Sequence, residues 1–70
     1  MNFAEAFAHM LAGRRIRRRE WGRVLYVEYD HAVFRNKNVP VIQIAMTNNK
    51  VSCYTPAQCD MLGDDWELVP

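Results

Sequence analysis

The stretch "MNFAEAFAHMLAG", residues 1–13, decides the fold class. Phe3, Ala6, Phe7, Met10 and Leu11 recur at i, i+3, i+4, i+7 and i+8, which lays one apolar stripe along a helix. Asn2 suits the N-cap, because its side-chain oxygen can accept from an otherwise unpaired backbone amide. Glu5, three residues later, completes a capping-box pair. Gly13 is a natural stop. His9 falls off the stripe and is expected in solvent. A helix with a single apolar face needs a sheet to cover. The spacing therefore predicts an α+β fold in two layers, an N-terminal helix packed on a small antiparallel sheet with a short C-terminal helical turn.

The rest of the chain supplies that sheet. Arg15–Arg19, with Ile16 its only apolar residue, reads as a short edge strand or extended connector. Arg23–Tyr29 alternates as a strand should. A loop is expected from Asp30 to Asn38, where "RNKN" is rich in turn formers. Val39–Met46 reads as the next strand, with Pro40 at its start, where a missing N–H does least harm. "TNNK" at 47–50 reads as a hairpin turn, and Val51–Tyr54 as a third strand. Thr55 as N-cap and Pro56 at the first helical position predict a short helical turn. Trp66–Val69 reads as a closing strand. No repeat, linker or low-complexity segment interrupts this order, and residues 1–70 read as one domain.

Composition narrows the function. Half of the 70 residues are hydrophobic, a globular composition. A chain this short buries little apolar surface, and such domains usually lean on disulfides, a metal or a partner subunit. Two cysteines, Cys53 and Cys59, are too few for a disulfide scaffold, and their spacing is not that of a zinc site. Free thiols in a reducing cytoplasm are expected, with no metal and no cofactor, so the missing stability points to self-association. No secretory leader and no apolar run of membrane-spanning length is apparent.

The net charge is only +1, yet it is segregated: residues 13–23 sum to +5 and residues 60–70 to −4. Such polarity suits pairing between subunits or an anionic ligand. No phosphate loop, zinc-protease motif or nucleophile elbow is present in the sequence. Asp60, Asp64 and Asp65 cluster, but aspartates before a tryptophan are ordinary turn residues, so an enzyme is not expected. The run "GRRIRRREWG", residues 13–22, places five arginines in positions 14–19. Two uses fit it equally: an arm neutralising nucleic-acid phosphates, with Trp21 stacking on a base, or one wall of a small anionic site, with an arginine forked onto phosphate oxygens. In the second use the remaining arginines pair with acidic residues across a subunit interface. Trp66, flanked by Leu62 and Leu68, reads as core.

"MNFAEAFAHMLAGRRI", Arg18-Arg19-Glu20-Trp21 and "YTPAQCDMLGDDWELV" (54–69) together resemble the Thoeris anti-defence type 2 family of small phage proteins. The first matches that family's opening helix, glycine, two basic residues and a β-branched residue; the second its Arg-x-x-Trp. Gln58, Asp60, Leu62, Asp65 and Trp66 fall on its closing pattern. The chain departs from the family at Ala57, where a small hydroxyl residue is usual, at Cys59, where threonine is usual, and at Tyr54, where tryptophan is common. Its middle is also shorter.

The resemblance implies a non-enzymatic sponge. Such proteins are homotetramers that hold a cyclic nucleotide immune messenger, typically a cyclic ADP-ribose isomer, in pockets shared between subunits. The implied setting is the cytoplasm of an infected bacterial host cell. The implied ligand-binding residues are Arg18 for phosphate, Trp21 for the base or the pocket wall, and Tyr54, Gln58 and Asp60 for ribose and base edges. Asp65 and Trp66 are expected to be structural. The alternative is a small phage nucleic-acid-binding or host-inhibitor protein that uses the arginine strip directly.

Overall fold

The computed structural model describes residues 1–22, 24–46 and 50–70. Helix α1 (Phe3–Leu11) forms as its stripe requires: Asn2 accepts from the Glu5 amide at 2.9 Å, and Glu5 accepts from the Asn2 amide at 3.3 Å. After Ala12 the chain turns at Gly13, whose φ of +96° is the left-handed conformation glycine tolerates. Strand β1 (Ile16–Arg18) and a 3₁₀ turn (Arg19–Trp21) follow. Next come β2 (Leu25–Phe34), β3 (Lys37–Met46), β4 (Val51–Cys53), helix α2 (Gln58–Leu62) and β5 (Trp66–Leu68). The fold is α+β, as the first thirteen residues imply.

The strand order is β4-β3-β2-β1-β5, antiparallel throughout. β1 is therefore an interior strand rather than an edge: Ile16 pairs with Val27 of β2 on one side and Leu68 of β5 on the other. It is placed there because α1 must deliver its stripe onto a buried residue, and Ile16 is the one apolar position available. Ala6, Met10, Ile16, Val27 and Trp66 form the core, each at most 1 % exposed. Phe3, Phe7, Tyr29, Ile42 and Ile44 pack around it. The N-terminus is tied in as well, since the Trp66 amide donates to the Met1 carbonyl at 3.1 Å.

Residues 30–38, expected as a loop, are instead the distal half of a hairpin. β2 runs on to Phe34, and Arg35 and Asn36 form a tight turn with φ of +50° and +62°. Two residues at positive φ give the turn whose twist matches the flanking strands. β3 consequently begins at Lys37, and Pro40 lies inside it, opposite His31. The proline is tolerated because β4 pairs only with Gln43–Ala45, which leaves β3 unpaired on one side at Pro40. α2 also begins later than Thr55 and Pro56 suggest. Its N-cap is Ala57, whose amide donates to the Asp60 carboxylate at 3.3 Å. Asp60 captures the helix start from within the first turn. β5 ends at Leu68, although the Val69 amide still donates to the Arg15 carbonyl. Arg23 and most of the 47–50 turn lie outside the described residues. The Met46 amide donates to the Lys50 carbonyl at 2.9 Å across that turn.

Candidate functional site

The alternation of β1 divides the arginine run. Ile16 and Arg18 point to the face that the helices cover, while Arg15 and Arg17 point to the open face. On the open face Arg17 Nε donates to Glu67 Oε1 at 2.8 Å, its partner in the β1–β5 register. Arg15 lies 4.9 Å over the Tyr26 ring and 3.5 Å from Glu28, to which Gln43 also donates at 2.8 Å. Arg14 turns back onto His9, which is half-buried rather than solvated. The acidic tail thus takes up two of the arginines, Arg17 and Arg18, inside one chain. For Arg17 and Arg18 the acidic partners come from the same chain, because β1 lies beside β5 and brings them against Glu67 and Asp65.

Arg18 faces α2. Its Nε donates to Asp65 Oδ1 at 2.7 Å, and its Nη1 donates to the Cys59 carbonyl at 3.1 Å and to Asp60 Oδ1 at 3.2 Å. Glu20 stands 3.6 Å away. The Arg18 side chain is 11 % exposed and that of Asp60 13 %. The hydrogen bond to Asp65 is the largest of the influences that raise the arginine's pKa still further, and it holds the Asp65 carboxyl below the usual aspartate range. The guanidinium lies over Gly63, where an added Cβ would meet Nη2 at 2.7 Å and Cζ at 2.8 Å.

Asp60 is the other centre. Its Oδ2 accepts from the Tyr54 hydroxyl at 3.0 Å, and its backbone carbonyl accepts from Trp66 Nε1 at 2.9 Å. Burial, and then the hydrogen bond to Asp60, push the Tyr54 phenol up, so it stays a neutral donor. Trp21, held by the 3₁₀ turn, meets the Tyr54 ring edge-on at 6.3 Å and the Trp66 ring edge-on at 5.4 Å. An aromatic wall of Trp21 and Tyr54 therefore rests on a charged pedestal of Arg18, Asp60 and Asp65.

The structure brings Arg18, Trp21, Tyr54 and Asp60 into one cluster. Gln58 is exposed at the first position of α2, two residues before Asp60. Sequence reasoning missed Gly63 as the seat of Arg18 and Asp65 as its main anchor. The segregation of charge was the available signal for the second. Trp66 is core as expected. A separate shallow groove of about 370 Å³ is lined by Ile44, Met46, Lys50, Val51 and Ser52, and none of the five expected ligand residues lines it.

Ring faces, a neutral phenol and an exposed amide can stack on a base and hydrogen-bond a sugar or a base edge. No curated protein matches the chain. A family model does: that of the Thoeris anti-defense 2-like domain, over residues 1–69.

Proposed function

Since this chain belongs to the Thoeris anti-defense 2-like domain family, we propose that it acts by sequestering a cyclic nucleotide immune messenger without degrading it. A cyclic ADP-ribose isomer or a related cyclic (di)nucleotide is the ligand class. The observation that carries this reading is the edge-on Trp21–Tyr54 pair, with Tyr54 hydrogen-bonded to Asp60 behind it and Gln58 exposed two residues before Asp60 on α2. Trp21 stacks on the base, and Gln58 with the rim of the cluster meets base and ribose edges. Ala57 and Cys59 leave two hydroxyls fewer in this stretch than the family usually has, which shifts recognition towards stacking.

Sequestration demands affinity. A sponge that outcompetes an effector needs a dissociation constant near nanomolar, about −12 kcal/mol. An exposed ion pair supplies only about 0–1 kcal/mol, so the site must close around its ligand. Self-association as a homotetramer closes it, in the cytoplasm of an infected bacterial cell. The chain's surface supports association. It exposes 5095 Å², against roughly 4,500 Å² for a compact protein of this mass. Every residue from His31 to Pro40 is exposed, Val33 at 78 % and Phe34 at 63 %.

Among the described residues no helix is long and apolar enough to cross a membrane. The intrachain pairing of Arg17 and Arg18 with Glu67 and Asp65 supports this reading over a nucleic-acid arm, because it leaves fewer free cations in the strip for a phosphate backbone. Titration calorimetry against cyclic ADP-ribose isomers and cyclic dinucleotides tests the reading. Nanomolar binding of at least one is expected; no binding to any of them overturns it.

A further inference from the structure

We infer that Arg18 is a positioning residue of the ligand site and not the contact for the ligand's phosphates. The inference rests on the ligand-binding reading above and assigns this one residue within it.

Three of the five guanidinium donors are already given to groups of the same chain, Asp65, Cys59 and Asp60. The side chain is 11 % exposed, and its plane is pressed over Gly63. The local charge is also of the wrong sign for an anion. Arg18 stands among the carboxylates of Asp60, Asp65 and Glu20, all within 3.6 Å, and with Arg19 also acting on Asp65 the immediate sum is −1. A phosphate approaching this cluster meets net repulsion.

What the arginine does instead follows from where its partners lie. It joins β1 to the first turn of α2 through Cys59 and Asp60, and to the approach to β5 through Asp65. Asp60, so fixed, takes the Tyr54 hydroxyl. Tyr54 sets one side of the aromatic wall, and Trp21 leans on it. The orientation of the stacking surface therefore depends on the guanidinium fork. The phosphates of a bound nucleotide are met by cations outside this cluster.

Asp65→Ala separates the two roles, because it removes the anchor and one negative charge while leaving the arginine in place. With a cyclic ADP-ribose isomer or cyclic dinucleotide that the wild-type chain binds, a positioning role gives binding weaker by tenfold or more. A phosphate contact, now freer and less neutralised, gives equal or tighter binding, and that result overturns the inference. Arg18→Gln adds a second readout. Affinity is expected to fall while the slope of log Kd against log salt stays that of the wild type; a shallower slope overturns the inference. If the wild-type chain binds none of these nucleotides, the ligand-binding reading fails by itself. The positioning role is then read from the near-ultraviolet circular dichroism of the free protein, where Asp65→Ala is expected to change the Trp and Tyr bands. An unchanged spectrum in a folded variant overturns it.

Discussion

Asp60 binds more of this molecule together than its place in a five-residue helix suggests. Its carboxylate receives Arg18, Tyr54 and the Ala57 amide, and its carbonyl receives the indole of Trp66. Trp66 is the largest buried side chain. Trp66→Ala is expected to cost about 3–5 kcal/mol in denaturant unfolding, and a loss under 1 kcal/mol would contradict its place in the core. Asp65 gives a pH signature. A carboxyl whose folded pKa is depressed stabilises the fold above its unfolded value of about 4, and that contribution disappears as pH falls through the folded pKa. Thermal stability should therefore drop below about pH 4, and Asp65→Ala should flatten that drop. Gly63→Val should lower the melting temperature, because the added Cβ would meet the guanidinium at 2.7 Å and push it off its bonds to Asp60 and Asp65. At this scale the sequence singles out four residues that the fold brings together, Arg18, Trp21, Tyr54 and Asp60, and does not reveal how they are joined. Arg18 and Asp65 are 47 positions apart, and no local pattern links them.

Elements were legible in proportion to their periodicity. The stripe from Phe3 to Leu11 and the cap at Asn2 specify α1 completely, and Asn2→Ala is expected to cost about 1 kcal/mol. The inner half of β2 alternates cleanly and is equally readable. Its outer half is not, because residues 30–38 mix polar turn formers with Ala32, Val33 and Phe34, all of them exposed, so the core enforces no pattern there. Local composition spoke for a loop, and pairing across the Arg35–Asn36 turn made a hairpin. That turn holds Arg35 at φ +50°, an unfavourable conformation for a side chain with Cβ. Arg35→Gly should slow amide exchange along the distal hairpin; faster exchange would contradict the turn geometry. The start of α2 was misread for a related reason: the Thr55-Pro56 signal is a sound one, but the Asp60 carboxylate takes the Ala57 amide and moves the start two residues on.

The whole molecule has one covered sheet face, one open face and a projecting hairpin. Its principal extents are 38 × 26 × 23 Å. The open face carries Arg15, Arg17, Glu28, Gln43 and Glu67, which pair among themselves. The distal hairpin is different, since Val33 and Phe34 stand in solvent. If self-association uses it, replacing both with lysine reduces the mass in light scattering to that of the 8.2 kDa chain. An unchanged mass would place the interface elsewhere. The proposal that joins these scales is that this family member holds a cyclic nucleotide intact. The direct measurement mixes the purified protein with a cyclic nucleotide, removes the free ligand, denatures the complex by heat and identifies what is released by mass spectrometry. Recovery of the unaltered ligand in stoichiometric amount is the expected result; a chemically altered ligand, or none retained, would contradict the account.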